Sequence, residues 1–278
     1  MNELNEKKAR LTEYLRELGS VAVAFSAGVD STFLLKTAHD VLGDKAVAVT
    51  ADSGLFPRSE LDEAIRFCET EKAEHIIFTH DELAVKGFAE NPPDRCYICK
   101  RELFTKIKEI ASERGIRYVA EGSNLDDEGD YRPGMRAIAE LGIKSPLRYA
   151  GLTKADIRAL SAEMGLATWD KPSFACLASR FVYGDTITPE KLSMVGKAES
   201  MLRGLGFRQV RVRIHGNIAR IETERERFPD IIAPETADRI TAYFRGLGFV
   251  YVTLDLTGYE TGSMNRTLRE TGNGAKTL

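Results

Sequence analysis

The sequence contains no apolar run that approaches the length needed to cross a bilayer, and its start, M-N-E-L-N-E-K-K-A-R, lacks the apolar core of a signal peptide. The expectation is a cytoplasmic protein that does not engage membranes. Basic charge is not in excess: the net charge is −3, which argues against a nucleic-acid-binding surface. Cysteine is scarce. There are four, Cys68, Cys96, Cys99 and Cys176, and in a chain of this size without an export signal they argue against a disulfide framework and turn attention to metal or sulfur chemistry. What is present, 43% hydrophobic and 29% charged residues over 278 positions, suffices for one large domain or two unequal ones with a packed core.

Two further absences concern the stretch V-A-V-A-F-S-A-G-V-D-S at 21–31. Five apolar residues run into a small polar turn, and Phe33, Leu34, Leu35 and Ala38 follow as the inner face of a helix, so a buried strand, a turn and a helix are expected. The turn points backbone N–H groups and the Ser26 and Ser31 hydroxyls into a concavity at the positive end of a helix dipole, which suits an anion. The lysine of a Walker A loop is missing, since Val29-Asp30-Ser31 stands in its place, and of the three Rossmann glycines only Gly28 is present. The pattern S-x-G-x-D-S resembles the pyrophosphate loop (PP-loop) of ATP pyrophosphatases. That resemblance implies cleavage of ATP between its α and β phosphates, with Asp30 near the magnesium that neutralises the leaving pyrophosphate. The bland alternative is an ordinary strand-turn-helix connection. Ala27 stands where the resembled loop has glycine, so easy access to positive φ is lost there.

Along the chain, 2–18 reads as an amphipathic helix through Leu4, Ala9, Leu11, Leu15 and Leu18. Strands are expected at 46–50, 74–79 and 116–120, with helices from Pro57 to about 72 and over about 101–114. The spacing predicts an α/β fold with a doubly wound parallel sheet. In such a sheet the strand ends carrying Asp52-Ser53 and Glu121-Gly122-Ser123-Asn124 face the same crevice as the loop, and Gly122 and Asn124 are expected to touch ATP. Arg132 faces either the nucleotide or solvent. A short strand is expected over 144–147, and Thr153 caps a helix start with Asp156. Cys68 lies with Leu61 and Ile65 on the apolar side of its helix and reads as a core residue.

The pair in Cys96-Tyr97-Ile98-Cys99 is a redox pair, half a metal site or a coincidence, and spacing alone does not choose. No thioredoxin-like unit and no second pair accompany it. Cys176 lies in W-D-K-P-S-F-A-C-L-A-S-R-F-V-Y, too aperiodic for a regular element. Three such cysteines suit an iron-sulfur cluster with one iron left open. From Thr188-Pro189 a second unit begins, with an echo in Arg203-Gly204-Leu205-Gly206-Phe207 and Arg245-Gly246-Leu247-Gly248-Phe249, each a helix, a glycine turn and a strand. Domains are expected at 1–185 and 186–278, the second a small α+β domain with a mobile tail. Arg211 and Arg213 alternate with Val210, Val212 and Ile214, placing both guanidiniums on one strand face, where they hold a phosphate or line a solvent-facing side.

Taken together, S-A-G-V-D-S-T, E-G-S-N-L-D-D, D-Y-R-P-G-M-R-A and K-P-S-F-A-C-L-A-S-R, with R-V-R and I-E-T-E beyond them, resemble the LarE-type sulfur transferases over nearly the whole chain. The resemblance implies an enzyme of the nickel-pincer nucleotide cofactor pathway. In it a carboxylate of a pyridinium-3,5-biscarboxylic acid mononucleotide attacks the α-phosphorus of ATP, and a sulfur nucleophile then displaces AMP. One branch of that family consumes a cysteine matching Cys176, leaving dehydroalanine. Another uses three cysteines as ligands of a 4Fe-4S cluster, and the presence of Cys96, Cys99 and Cys176 points to that branch. The resemblance further implies ATP contacts from Ser26, Gly28, Asp30, Ser31, Asp52 and Ser53 and substrate-phosphate contacts from Arg180, Arg211 and Arg213. It implies divalent-metal positions at Glu199, Glu222 and Asp230, and a homo-oligomer. The rival readings are a PP-loop tRNA thiolase, an ammonia-using synthetase domain and a non-catalytic ATP-binding module.

Overall fold

The computed structural model describes residues 3–127, 133–172, 174–260 and 262–265. Arg132 and the polar tail to Leu278 lie outside the described residues. The chain divides into two compact units, one of Met1–Ser53, Pro57–Asp81 and Cys96–Phe174, the other of Gly54–Phe56, Glu82–Arg95 and Ala175–Leu278. No described helix is long and apolar enough to cross a membrane.

In the first unit the elements run α1 (Glu3–Leu18), β1 (Val21–Ala24), α2 (Val29–Leu42), β2 (Ala46–Ser53), α3 (Arg58–Glu71) and β3 (His75–His80). They continue with α4 (Arg95–Glu113), β4 (Tyr118–Ala120), α5 (Pro133–Glu140), α6 (Pro146–Tyr149) and α7 (Lys154–Glu163). The sheet order is β3-β2-β1-β4 and every pairing is parallel. Because β1 is central and its residues alternate, Val21 and Val23 enter one core with Leu11, Leu15, Phe33, Leu34, Ala64, Cys68 and Ile157, while Ala22 enters the other with Phe104, Ile107, Ala111 and Ile138. Helices therefore cover both faces, as a near-continuous apolar β1 requires. From β1 the chain winds outward through β2 to β3, then returns to place β4 on the other side of β1. That reversal opens a crevice at the carboxyl ends of β1 and β4.

Two local expectations are corrected. Residues 144–147 are not a strand: Lys144 makes a single parallel bridge to Ala120, and Pro146, which has no N–H to continue a ladder, takes the first position of α6 instead. The helix expected from 101 begins at Arg95, so Cys96 and Cys99 both lie in the first two turns of α4 rather than ahead of it. Thr153 does close a capping box with Asp156.

The second unit holds α8 (Pro189–Gly204), β5 (Val210–His215), β6 (Ile218–Thr223), α9 (Phe228–Ile232), α10 (Pro234–Leu247) and β7 (Tyr251–Leu254). The sheet order is β5-β6-β7, with β5 antiparallel and β7 parallel to β6. The echo is realised: a glycine with positive φ follows each helix, Gly206 just beyond the Leu205 cap of α8 and Gly248 as the cap of α10, and each is followed by a buried phenylalanine, Phe207 or Phe249, and then a strand flanking β6.

Candidate functional site

The S-A-G-V-D-S turn joins β1 to α2 at the sheet's carboxyl edge. Gly28 caps α2, and Thr32 N–H donates to its carbonyl at 2.9 Å. The backbone N–H of Ser26 donates to Ser31 Oγ at 3.3 Å, and the two hydroxyls stand 3.1 Å apart, Ser26 exposed and Ser31 buried behind it. Ala27 adopts φ +51° while only 2% exposed. The alanine therefore takes the left-handed conformation that glycine would take without cost, at an expense of roughly 1–2 kcal/mol. Asp30, in the first turn of α2, accepts from Asn124 Nδ2 at 3.3 Å and pairs with Lys154 Nζ at 2.5 Å.

The turn after β4 closes the other side of the crevice. A Cβ built on Gly122 would lie 3.1 Å from Ser31 N and 3.2 Å from Asp30 Cβ, so only glycine lets this backbone approach the loop without displacing it. Glu121, itself buried, accepts from the Ser123 backbone at 3.1 Å, Ser123 Oγ at 2.6 Å and Ser145 Oγ at 2.5 Å, which fixes the turn. At the end of β2, Asp52 pairs with Arg58 at 3.3 Å. Ser26, Gly28, Asp30, Ser31, Gly122 and Asn124 thus share one small region. N–H groups, hydroxyls and a carboxylate at a helix N-terminus can bind a polyphosphate there and present it to a divalent cation. Two lysines that sequence reasoning missed belong to this region: Lys154 on Asp30, and Lys171, whose ammonium reaches the Ala27 carbonyl at 3.2 Å.

None of the four cysteines forms a disulfide. Burial pushes the Cys68 thiol up to about 12, in keeping with a core residue. Cys96 and Cys99 lie three apart near the start of α4, hence on one helix side, and both are partly exposed. Cys176 caps a short 3₁₀ turn, Leu177–Arg180, and is partly exposed as well. Its backbone is held from the second unit's interior. Arg180 Nη1 donates to the carbonyls of Ala175 and Cys176 at 3.0 and 3.3 Å, and buried Arg95 donates to the Ala178 carbonyl at 2.9 Å. Among the described residues no three of His, Cys, Asp and Glu gather where they could hold a metal ion.

In the second unit the expected phosphate-binding arginines are buried, not solvent-facing: Arg180 is 1% exposed, Arg211 4% and Arg213 7%. Arg180 grips Glu199 bidentately, Nε to Oε1 at 2.7 Å and Nη2 to Oε2 at 2.9 Å, and Glu199 also accepts from Arg203 at 3.2 Å and Val212 N at 3.0 Å. Burial pushes the Glu199 carboxyl up, but the Arg180 cation and these hydrogen bonds outweigh it and hold the group below the usual carboxylate range. Arg213 grips Glu222 in the same manner at 3.0 and 2.9 Å, with Ser179 O and Ser263 Oγ taking further N–H groups. Arg211 donates to Val210 O and lies over the Tyr259 ring at 5.2 Å. Burial and then the Arg180 cation lower its guanidinium to about 10. Glu199 and Glu222 are thus already engaged by arginines, while Asp230 sits exposed on α9, paired with Arg227 at 2.6 Å.

A family model described as the Mut7-C RNAse domain matches residues 4–124, less than half of the chain, and stops short of Cys176 and the arginines of the second unit. Among curated proteins, the tRNA-specific 2-thiouridylase of Rhizobium johnstonii is 28% identical over 62% of this chain and 52% of its own. An uncharacterized protein of Synechocystis is 43% identical over 95% of this chain and 99% of its own. The pyridinium-3,5-bisthiocarboxylic acid mononucleotide synthase of Lactiplantibacillus plantarum is 43% identical over 96% of this chain and 97% of its own. With that identity spanning essentially the full length of both chains, and with an S-A-G-V-D-S loop at the carboxyl edge of a parallel sheet, this chain is an enzyme of the LarE-type sulfur transferase family within the PP-loop superfamily.

Proposed function

We propose that this enzyme uses ATP and magnesium to adenylate carboxylates of pyridinium-3,5-biscarboxylic acid mononucleotide and then replaces AMP by sulfur, in synthesis of the nickel-pincer nucleotide cofactor. The observation that carries the ATP half is the loop Ser26–Ser31 abutting Gly122, with the Asp30 carboxylate between Asn124 and Lys154. The acceptor half rests on the family. A carboxylate oxygen of the substrate bonds to the α-phosphorus and the bond to pyrophosphate breaks. The sulfur nucleophile then bonds to the acyl carbon and AMP leaves with that oxygen.

Ser26, Ser31 and the N–H groups around Gly28 hold the phosphates, Asp52, Ser53, Gly122 and Asn124 complete the nucleotide site, and Asp30 is the carboxylate for magnesium, which when bound neutralises the leaving pyrophosphate. Arg211, buried on β5 over the Tyr259 ring, is assigned to the substrate phosphate, an anion that would offset the cost of holding its charge beside the Arg180 cation. Arg180 and Arg213 support it from their carboxylate pairs, and Glu199, Glu222 and Asp230 would hold a divalent metal only after releasing arginine partners. Cys176 delivers sulfur by being consumed itself, or else it would join Cys96 and Cys99 as a ligand holding a 4Fe-4S cluster, which would carry an extra sulfide for transfer. The one-sided placement of Cys96 and Cys99 suits two such ligands. The ATP pyrophosphatase role falls to 1–185, of which 54–56, 82–95 and 175–185 belong to the second compact unit, and the substrate role to 186–278, in a cytoplasmic homo-oligomer that hands its product to other proteins of the pathway.

Anaerobic iron and sulfide analysis with a visible spectrum, on the wild type and on Cys99→Ala, tests the sulfur route. The cluster reading expects iron and sulfide in the wild type and loss of both with sulfur transfer in the variant. Undiminished transfer by iron-free Cys99→Ala would return the assignment to consumption of Cys176. Activity that survives replacement of all three cysteines would overturn sulfur delivery by this chain.

A further inference from the structure

Lys171 lies in the irregular stretch after α7, yet it is not a wandering surface lysine. Its side chain is 15% exposed, and its backbone carbonyl accepts from Arg158 Nη2 at 2.8 Å while Arg158 Nη1 takes the carbonyl of Trp169 at 2.6 Å. The ammonium has three acceptors for its three N–H donors: Glu60 at 2.9 Å, Glu63 at 2.7 Å and the carbonyl of Ala27 at 3.2 Å. The two carboxylates of α3 already neutralise the charge, so the third bond is the one that needs a reason. It falls on the residue of the phosphate loop that holds a positive φ without being glycine.

We infer that Lys171 is a positioning residue for ATP, holding Ala27 in the left-handed conformation that the loop requires and that alanine resists. This rests on the reading of the loop as the ATP site. Because the peptide is trans, fixing the Ala27 carbonyl toward Lys171 aims the Gly28 N–H the opposite way, and that N–H is one of the donors the loop offers to phosphate. A loop with glycine at this position would have no need of the clamp. Glu60 and Glu63 in turn hold the ammonium in place. Without Lys171 the competent loop becomes a minor state, and apparent affinity falls by its population.

The test is titration of magnesium-ATP by calorimetry against the wild type, K171M, A27G and the double variant, with amide exchange at residues 26–29 read on the same four proteins. K171M should weaken ATP binding roughly five- to thirty-fold, the factor matching the cost of left-handed alanine, and should speed exchange in the loop. In the A27G background the same lysine replacement should change the dissociation constant less than about twofold and leave exchange unaltered. An equal loss in both backgrounds, or none in either, overturns the inference. If K171M fails to fold because Glu60 and Glu63 are left facing each other, the comparison is made with E60Q/E63Q/K171M. Should the wild type bind no ATP, the ATP assignment falls, and the exchange measurements still decide whether Lys171 holds the loop.

Discussion

Replacing Glu199 by leucine separates a structural role from a metal-binding one. The carboxylate is fully buried and receives four donors, two from Arg180, one from Arg203 and one from the backbone of Val212. Leucine matches its volume roughly but leaves the Arg180 guanidinium, also fully buried, without its counter-charge. Breaking one side of a buried bidentate pair costs about 3–5 kcal/mol. Against a domain stability of about 5–15 kcal/mol, the variant should fold with a large fall in its denaturation midpoint. A second replacement, Arg180→Met, should return much of that loss, because an apolar pair of similar volume is often neutral relative to a buried ion pair. The pH dependence has a definite sign. The folded-state carboxyl of Glu199 is depressed, so its contribution is complete above the ordinary glutamate range and is lost as pH falls through the depressed value. The wild type should therefore lose more stability than E199L on acidification below that range. The assay is equilibrium urea unfolding followed by circular dichroism at several pH values. A variant that unfolds within about 0.5 kcal/mol of the wild type while losing only metal-dependent activity would refute the structural role and favour a metal ligand.

Other replacements probe the nucleotide site and the cysteines. Gly122→Ala should raise the KM for ATP and cost about 1–3 kcal/mol, because the added methyl meets the backbone N of Ser31 at 3.1 Å. An unchanged KM would show that the β4 turn has no part in the site. In folded, iron-free protein a thiol reagent should modify Cys96, Cys99 and Cys176 well before Cys68, whose burial pushes its thiol to about 12, and peptide mapping after timed alkylation reads the order. Lys154→Met should free the Asp30 carboxylate of its cation and weaken ATP binding in a manner that more magnesium partly offsets, measured as the magnesium dependence of the ATP KM.

The parallel sheet and the phosphate loop were legible in sequence because their signals are local: an apolar run, small turn residues and a helical apolar face lie within 21–38. The echo of helix, glycine and strand was legible for the same reason. The clamps on the loop were not, since Lys154 and Lys171 reach Asp30 and Ala27 across 124 and 144 residues, a pairing that no periodicity encodes. Alternation placed Arg211 and Arg213 on one side of β5, but their burial depends on Glu199 from α8 and Glu222 from β6 and could not be read from the strand itself. At Ala27 the reading that positive φ becomes less accessible was sound chemistry, and the conformation is adopted anyway because the surrounding contacts over-determine it. Residues 144–147 misled for a smaller reason, a proline that starts a helix where an extended pattern had begun.

In the proposed reaction ATP is split at its α-phosphorus to activate a carboxylate that then receives sulfur. This reaction is tested most directly by incubating the purified enzyme anaerobically with magnesium-ATP and pyridinium-3,5-biscarboxylic acid mononucleotide, while AMP and pyrophosphate are quantified and the mononucleotide is weighed by mass spectrometry. AMP and pyrophosphate should form in equal amounts, only when the mononucleotide is present, with an oxygen of the mononucleotide exchanged for sulfur. Release of ADP and phosphate, or AMP formation that leaves the mononucleotide unchanged in mass, would contradict the proposed reaction.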